Sequence, residues 1–151
     1  MAISTDSTIE FFGTQDTLGT SSAAVADNAF SVAGDLSTWT NDDDATKATI
    51  ILLANFSVSP TVNSQIHLYC RALNIVSTNG QDVPTANYQH TYLGSFPLKN
   101  VTTAQYIPID VSLPNTVTSQ QYEFYIENKS DQSLPAGWDL YVTPKADGPH
   151  G

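Results

Sequence analysis

From Phe30 onward the apolar residues of this chain fall in short bursts separated by turn-formers, a spacing that builds sandwiches of strands rather than helices. Lys47 to Phe56 holds Ile50, Ile51, Leu52 and Leu53 in one near-continuous run, which predicts a central strand buried on both faces. Ser59-Pro60-Thr61 interrupts it. Asn63 to Val76 then alternates, with Ile66, Leu68 and Cys70 pointing one way and His67, Tyr69 and Arg71 the other. The polar stretch from Ser77 to Gln89, which includes Asn79-Gly80 and Pro84, predicts a protruding loop. Further strands are expected over Thr91 to Leu98, Gln105 to Leu113, Gln121 to Asn128 and Trp138 to Val142. In the third of these Tyr122, Phe124 and Ile126 share a face opposite Glu123, Tyr125 and Glu127, so one side is wet or at an interface. Pro108, inside its run, indicates an edge strand or a bulge.

The first part of the chain differs. Gly13 to Asn28 is built of small and polar residues with only Leu18 and Val25 as larger aliphatics, the pattern of an arm or a long loop. Ahead of it Thr8-Ile9-Glu10-Phe11-Phe12 is strand-like but too isolated to form a sheet alone. It serves either as an edge strand of its own chain or as a strand crossing to a neighbour. Phe11 and Phe12 on a free arm would invite aggregation, so both are expected to be covered. The fold expected is all-β: a two-sheet antiparallel β-sandwich, jelly-roll-like, of about eight strands with an extended N-terminal arm. An immunoglobulin-type sandwich is disfavoured because its Cys…Trp…Cys signature is missing. The corresponding division is an arm at residues 1–28, a sandwich domain at 29–145 and a C-terminal tail at 146–151.

Composition narrows the partners. The chain has 151 residues, 40% of them hydrophobic and 10% aromatic, too many for a disordered chain. Fifteen Asp and Glu against five Lys and Arg give a formal charge of −10, which repels phosphate backbones and anionic lipid. Neither nucleic acid nor a membrane is therefore an expected partner. The single Cys70 excludes an intramolecular disulfide and any multi-cysteine zinc site, and its strand position predicts a buried small hydrophobe. No run approaches the roughly 18 apolar residues of a membrane span. Met1-Ala2-Ile3-Ser4-Thr5-Asp6 lacks the basic start and apolar core of a signal peptide, so synthesis and retention in a cytoplasm are expected.

Candidate chemistry is sparse. In Asn41-Asp42-Asp43-Asp44, Asp42 and Asp44 are candidate ligands for a hard cation, but Lys47 stands where an EF-hand loop needs Gly and no Glu closes the loop. A solvated acidic turn is the preferred reading, and no metal is expected. His67, His90 and His150 show no ligand spacing, and His67 is read as structural or interfacial. There is no Gly-x-Ser-x-Gly elbow and no Gly-rich phosphate loop, so neither a catalytic residue nor a cofactor is expected. Glu123 and Glu127 share a strand face about 13 Å apart by the strand rise, wider than a glycosidase pair, and read as solvent-facing charges. Trp39, Trp138, Tyr69, Tyr88, Tyr92 and Tyr125 are of the type that stacks on sugars, but core or subunit-interface roles are preferred. The sequons at Asn55, Asn100 and Asn128 matter only in a secretory pathway.

Ser37 to Pro144 nevertheless resembles a family of small tailed-bacteriophage virion proteins associated with capsid decoration. The resemblance rests on Ser37-Thr38-Trp39-Thr40-Asn41-Asp42-Asp43 and on Ala86-Asn87-Tyr88-Gln89-His90-Thr91-Tyr92-Leu93-Gly94-Ser95-Phe96. It continues through Gln105-Tyr106-Ile107, Leu113-Pro114-Asn115, Tyr122-Glu123-Phe124-Tyr125-Ile126-Glu127-Asn128 and Ala136-Gly137-Trp138. It implies a structural protein, not an enzyme, seated as a homotrimer on the exterior of a phage capsid made in a bacterial cytoplasm, with the major capsid protein as partner. It also gives the arm a purpose, with Ile9, Phe11 and Phe12 as anchors to a neighbouring chain and Tyr122, Phe124 and Tyr125 as core or trimer contacts. Two other readings stay open: a carbohydrate- or receptor-binding virion module exposing Trp39 or Trp138 in a groove, and a tail or collar subunit.

Overall fold

The computed structural model describes residues 8–73, 81–89, 91–114 and 119–149. The start of the expected arm, Asn79-Gly80 of the expected loop, His90 and His150 lie outside the described residues. The described residues form nine strands: β1 (Thr8–Phe12), β2 (Asp16–Thr20), β3 (Trp39–Asn41), β4 (Lys47–Ala54), β5 (Gln65–Ala72), β6 (Tyr92–Pro97), β7 (Gln105–Ser112), β8 (Gln120–Lys129) and β9 (Asp139–Pro149). No helix occurs among the described residues.

The strands make two antiparallel sheets. One runs β1-β9-β4-β7, with β2 pairing the earlier part of β9, and the other runs β3-β8-β5-β6. From β2 to β9 the chain is a nested ribbon: β5 faces β6, β4 faces β7, β3 faces β8 and β2 faces β9, the successive pairs falling alternately in the two sheets. That wrapping is the jelly roll expected from the sequence. Pro108 sits on β7, an edge of its sheet, where its missing N–H costs no ladder bond.

The core lies between the sheets and follows the period of two. Ala48, Ile50, Leu52 and Ala54 of β4 and Ile66, Leu68, Cys70 and Ala72 of β5 are fully buried. They meet Leu140 and Val142 of β9 and Ile126 of β8. Each such side chain contributes about 1.5–3 kcal/mol when fully removed from water. Trp39 stacks on Tyr122 with ring centroids 5.8 Å apart, and Phe124 adjoins both. Tyr122 and Phe124 are therefore core residues of one chain and are not available as trimer contacts. β4 departs from expectation, because Ile51 and Leu53 are only half-buried on the outer face. Among the described residues no second sheet packs on that side, so this central strand is not buried on both faces.

The expected arm and tail are corrected. Within residues 1–28, β1 pairs with β9 from Thr8↔Pro149 to Phe12↔Lys145, and β2 pairs with it from Asp16↔Val142 to Thr20↔Asp139. Residues 21–31 are stitched down by backbone bonds from Ser21 to Trp138, Val25 to Leu134, Asn28 to Asn128 and Ser31 to Ile126. Fully buried Asn128 donates from Nδ2 to Val25 and Gln132 carbonyls. Residues 146–149, read as tail, form the end of β9 because β1 supplies a partner that a Pro- and Gly-containing segment lacks by itself.

Candidate functional site

Two surfaces stand apart from the ordinary polar exterior. The first is the β1 edge. Register places Phe11 opposite Ala146 and Ile9 opposite Gly148, on the core-facing side of the sheet, yet Phe11 is 51% exposed. Its ring lies over Gly148, where an added Cβ would approach Phe11 Cε2 to 2.6 Å. Phe12 points to the other side, 64% exposed, with Lys145 Nζ 5.6 Å from its ring centroid. Beside them is a cleft of about 210 Å³ lined by Phe11, Phe12, Asp43, Ala45, Pro144 and Lys145. Lys145 is buried and pairs with Asp110 at 2.8 Å and Glu10 at 3.3 Å. The Asp110 partner raises the pKa of Lys145, and the Lys145 and Thr49 bonds lower that of Asp110. The expectation that Phe11 and Phe12 would be covered is thus overturned within the single chain.

The second surface is the outer face of the four-stranded sheet, where β5 and β8 pair in register His67↔Glu127, Tyr69↔Tyr125 and Arg71↔Glu123. Glu127 accepts from Tyr69 Oη at 3.1 Å, lies 3.3 Å from His67 Nδ1 and pairs with Lys129 Nζ at 2.8 Å. Glu123 takes Arg71 Nη2 at 2.6 Å and the Gly34 backbone N–H at 2.6 Å. The sequence reading of both glutamates as solvent-facing fails: Glu123 is 6% and Glu127 2% exposed. Residues 28–31 bond along the edge of β8, and from there the Phe30 ring lies 5.2 Å from Tyr69 between ring centroids while Gly34 reaches Glu123. Burial, then the Glu127 charge, pushes Tyr69 up to about 12. Tyr125, offered as a core or trimer contact, is fully buried beneath this cover, and burial, then the neighbouring Glu123 carboxylate, raises its pKa. Tyr92, half exposed, packs edge-on against Tyr69 and His67 at the open end of the cluster.

The remaining candidates fall outside both surfaces. Asp42 and Asp44 stand in the turn between β3 and β4, which Asn41 closes by accepting from Ala45 N and donating to Ala45 O. Asp44 has φ 51°, and Asp42 accepts from Ser119 Oγ at 3.1 Å. Among the described residues no three His, Cys, Asp or Glu side chains converge as metal ligands. Cys70 is buried as expected, and burial pushes its thiol up to about 12, far from a reactive thiolate. Trp39 and Trp138 are 4% and 1% exposed, in the core as preferred from the sequence, so the carbohydrate-binding alternative lacks the tryptophan groove it called for.

No family model and no curated protein matches this chain. Among solved structures it is similar to a carbohydrate-binding module described as CBM36 in complex with calcium and xylotriose. The identity is 15% and the TM-score 0.41, over 94% of this chain and 99% of that one. It is similar also to a CBM35 module from Cellvibrio japonicus Abf62, with 16% identity and TM-score 0.41 over 96% and 99% of the two chains. Resemblance at this level does not bear on ligand or activity. The strand pairing itself defines an antiparallel jelly-roll β-sandwich.

Proposed function

We propose that this chain is a non-catalytic structural protein of a bacteriophage virion, decorating the outer surface of the capsid and stabilising it, with the major capsid protein as partner and a homotrimer as the assembled form. The observation that carries this reading is the β1 edge, where two phenylalanines are 51% and 64% exposed beside an apolar cleft. An acidic protein with few cations does not otherwise leave adjacent aromatic rings in water unless something covers them. The resemblance of residues 37–144 to small virion proteins supplies the kind of surface, and a rigid sandwich with one apolar edge suits a cap held by several weak contacts at once.

The test is co-sedimentation with undecorated capsids. The full chain should pellet, whereas a variant lacking residues 1–12, or carrying Phe11→Ser with Phe12→Ser, should stay in solution while amides of the core strands β4 and β5 keep their hydrogen-exchange protection. Undiminished binding by both variants would sink the reading.

A second reading, a carbohydrate-binding module, is favoured by one specific feature: half-exposed Tyr92 beside His67 and the buried Glu127 carboxylate, an aromatic ring with polar groups behind it. Glycan-array binding that Tyr92→Ala abolishes and Phe12→Ser leaves intact would replace the capsid reading with this one.

A further inference from the structure

The outer face of the β1-β9-β4-β7 sheet carries ordered rows across its strands. One row is Thr20, Asp139, Leu53 and Tyr106, and the next contains Tyr141, Ile51 and Pro108. Tyr106 is 66% exposed, and Leu53, Ile51 and Tyr141 are half-buried. Within this aromatic and aliphatic patch Asp139 is 4% exposed, and its Oδ1 has no hydrogen-bond partner. A buried carboxylate oxygen left without a partner costs about 1–3 kcal/mol or more. The neighbouring acid on this face, Asp110, is by contrast satisfied by Lys145 and Thr49.

The chain does not supply the missing cation. Of its five Lys and Arg residues, Lys47, Arg71, Lys129 and Lys145 are engaged with Asp147, Glu123, Glu127, and Asp110 with Glu10, respectively, and the fifth, Lys99, lies in the segment between β6 and β7 and forms no ion pair with Asp139. Charge complementarity therefore points outward. A guanidinium or ammonium group suits a carboxylate that has only the Leu140 backbone N–H as hydrogen-bond partner and has tyrosines on the same face, because the rings attract the cation and cover its aliphatic stem while the carboxylate neutralises it.

We propose that the Asp139, Leu53, Tyr106 and Tyr141 face docks an arginine or lysine side chain presented by a partner protein. The site is separate from the β1 edge and does not depend on what that edge binds. The energetic penalty of the buried acid in the free protein is relieved on association, so stability is exchanged for affinity. The electrostatics agree with the geometry. Burial raises the carboxyl pKa of Asp139, and burial followed by the Asp139 charge raises the Tyr141 hydroxyl, which places the two groups within each other's field.

The experiment is amide-resolved NMR titration of the full chain with N-acetyl-arginine methylamide at millimolar concentrations, and with its uncharged citrulline counterpart. Saturable shifts at Leu53, Tyr106, Asp139 and Tyr141 are expected with arginine and not with citrulline. Asp139→Asn should abolish them, whereas Asp110→Asn, which removes the same formal charge from the same face, should retain them. Shifts spread over all acidic residues, equal shifts with citrulline, no shifts, or equal loss in both variants would each overturn the proposal.

Discussion

Asp139 sets a clear sign for the pH dependence of stability. Its folded pKa is raised by burial, so the folded state holds this proton more tightly than the unfolded chain does. The stability it contributes is complete below the ordinary carboxylate range and is lost as pH rises through the raised value. Above that raised value the ionised, half-partnered carboxylate is a net cost. Asp139→Asn is expected to raise the melting temperature at neutral pH, with the gain shrinking as the pH is lowered toward the carboxylate range, as followed by calorimetry across that interval. Glu127 is the opposite case, since its carboxylate is the acceptor for Tyr69 and the partner of Lys129 and His67. Glu127→Ala should cost about 2 kcal/mol in urea unfolding. Lys47→Ala, which breaks an ion pair 40% and 50% exposed at its two side chains, should cost less than about 0.5 kcal/mol. The alternation of β8 and β5 already told which of these residues share a face. Their burial was not legible, because the cover over Glu123 and Glu127 comes from residues 28–34, about ninety positions away along the chain, and strand periodicity carries no information about what lies above it.

At the level of elements, the long hydrophobic strands could be read from sequence and the short polar ones could not. β4, β5, β7 and β8 lie close to their expected limits. β2 and β3, with sequences DTLGT and WTN, have too few apolar positions to show a period, and they exist because β9 and β8 offer them edges. The last part of β9 combines Pro144, Gly148 and Pro149, signals of a tail, and becomes a strand only through β1. That mutual dependence can be tested at Gly148. A Cβ there would force the Phe11 ring aside, so Gly148→Ala should accelerate hydrogen exchange at the β1 amides paired with β9 while core amides such as those of Ile50 and Ile66 keep their protection. Uniform acceleration through the whole sandwich would show instead that β1 is an integral part of the cooperative unit.

For the molecule as a whole, the nested ribbon places β2 against β9 and leaves only β5 and β6 as neighbours joined by a single intervening segment. Such non-local pairing predicts folding on the millisecond-to-second scale, measurable by stopped-flow tryptophan fluorescence as Trp39 and Trp138 become buried. The same wrapping brings the first and last strands side by side, with Thr8 opposite Pro149. Head and tail of the described chain thus share one corner of the sandwich. A circular permutant that joins residue 149 to residue 8 through a short flexible linker and begins instead in the exposed turn at residues 102–104 should keep the same sheet order, since no pairing crosses either alteration. Its near-ultraviolet spectrum should match that of the parent chain, while the early partner search changes, because β1 and β9 then become neighbours along the polypeptide as well as in space.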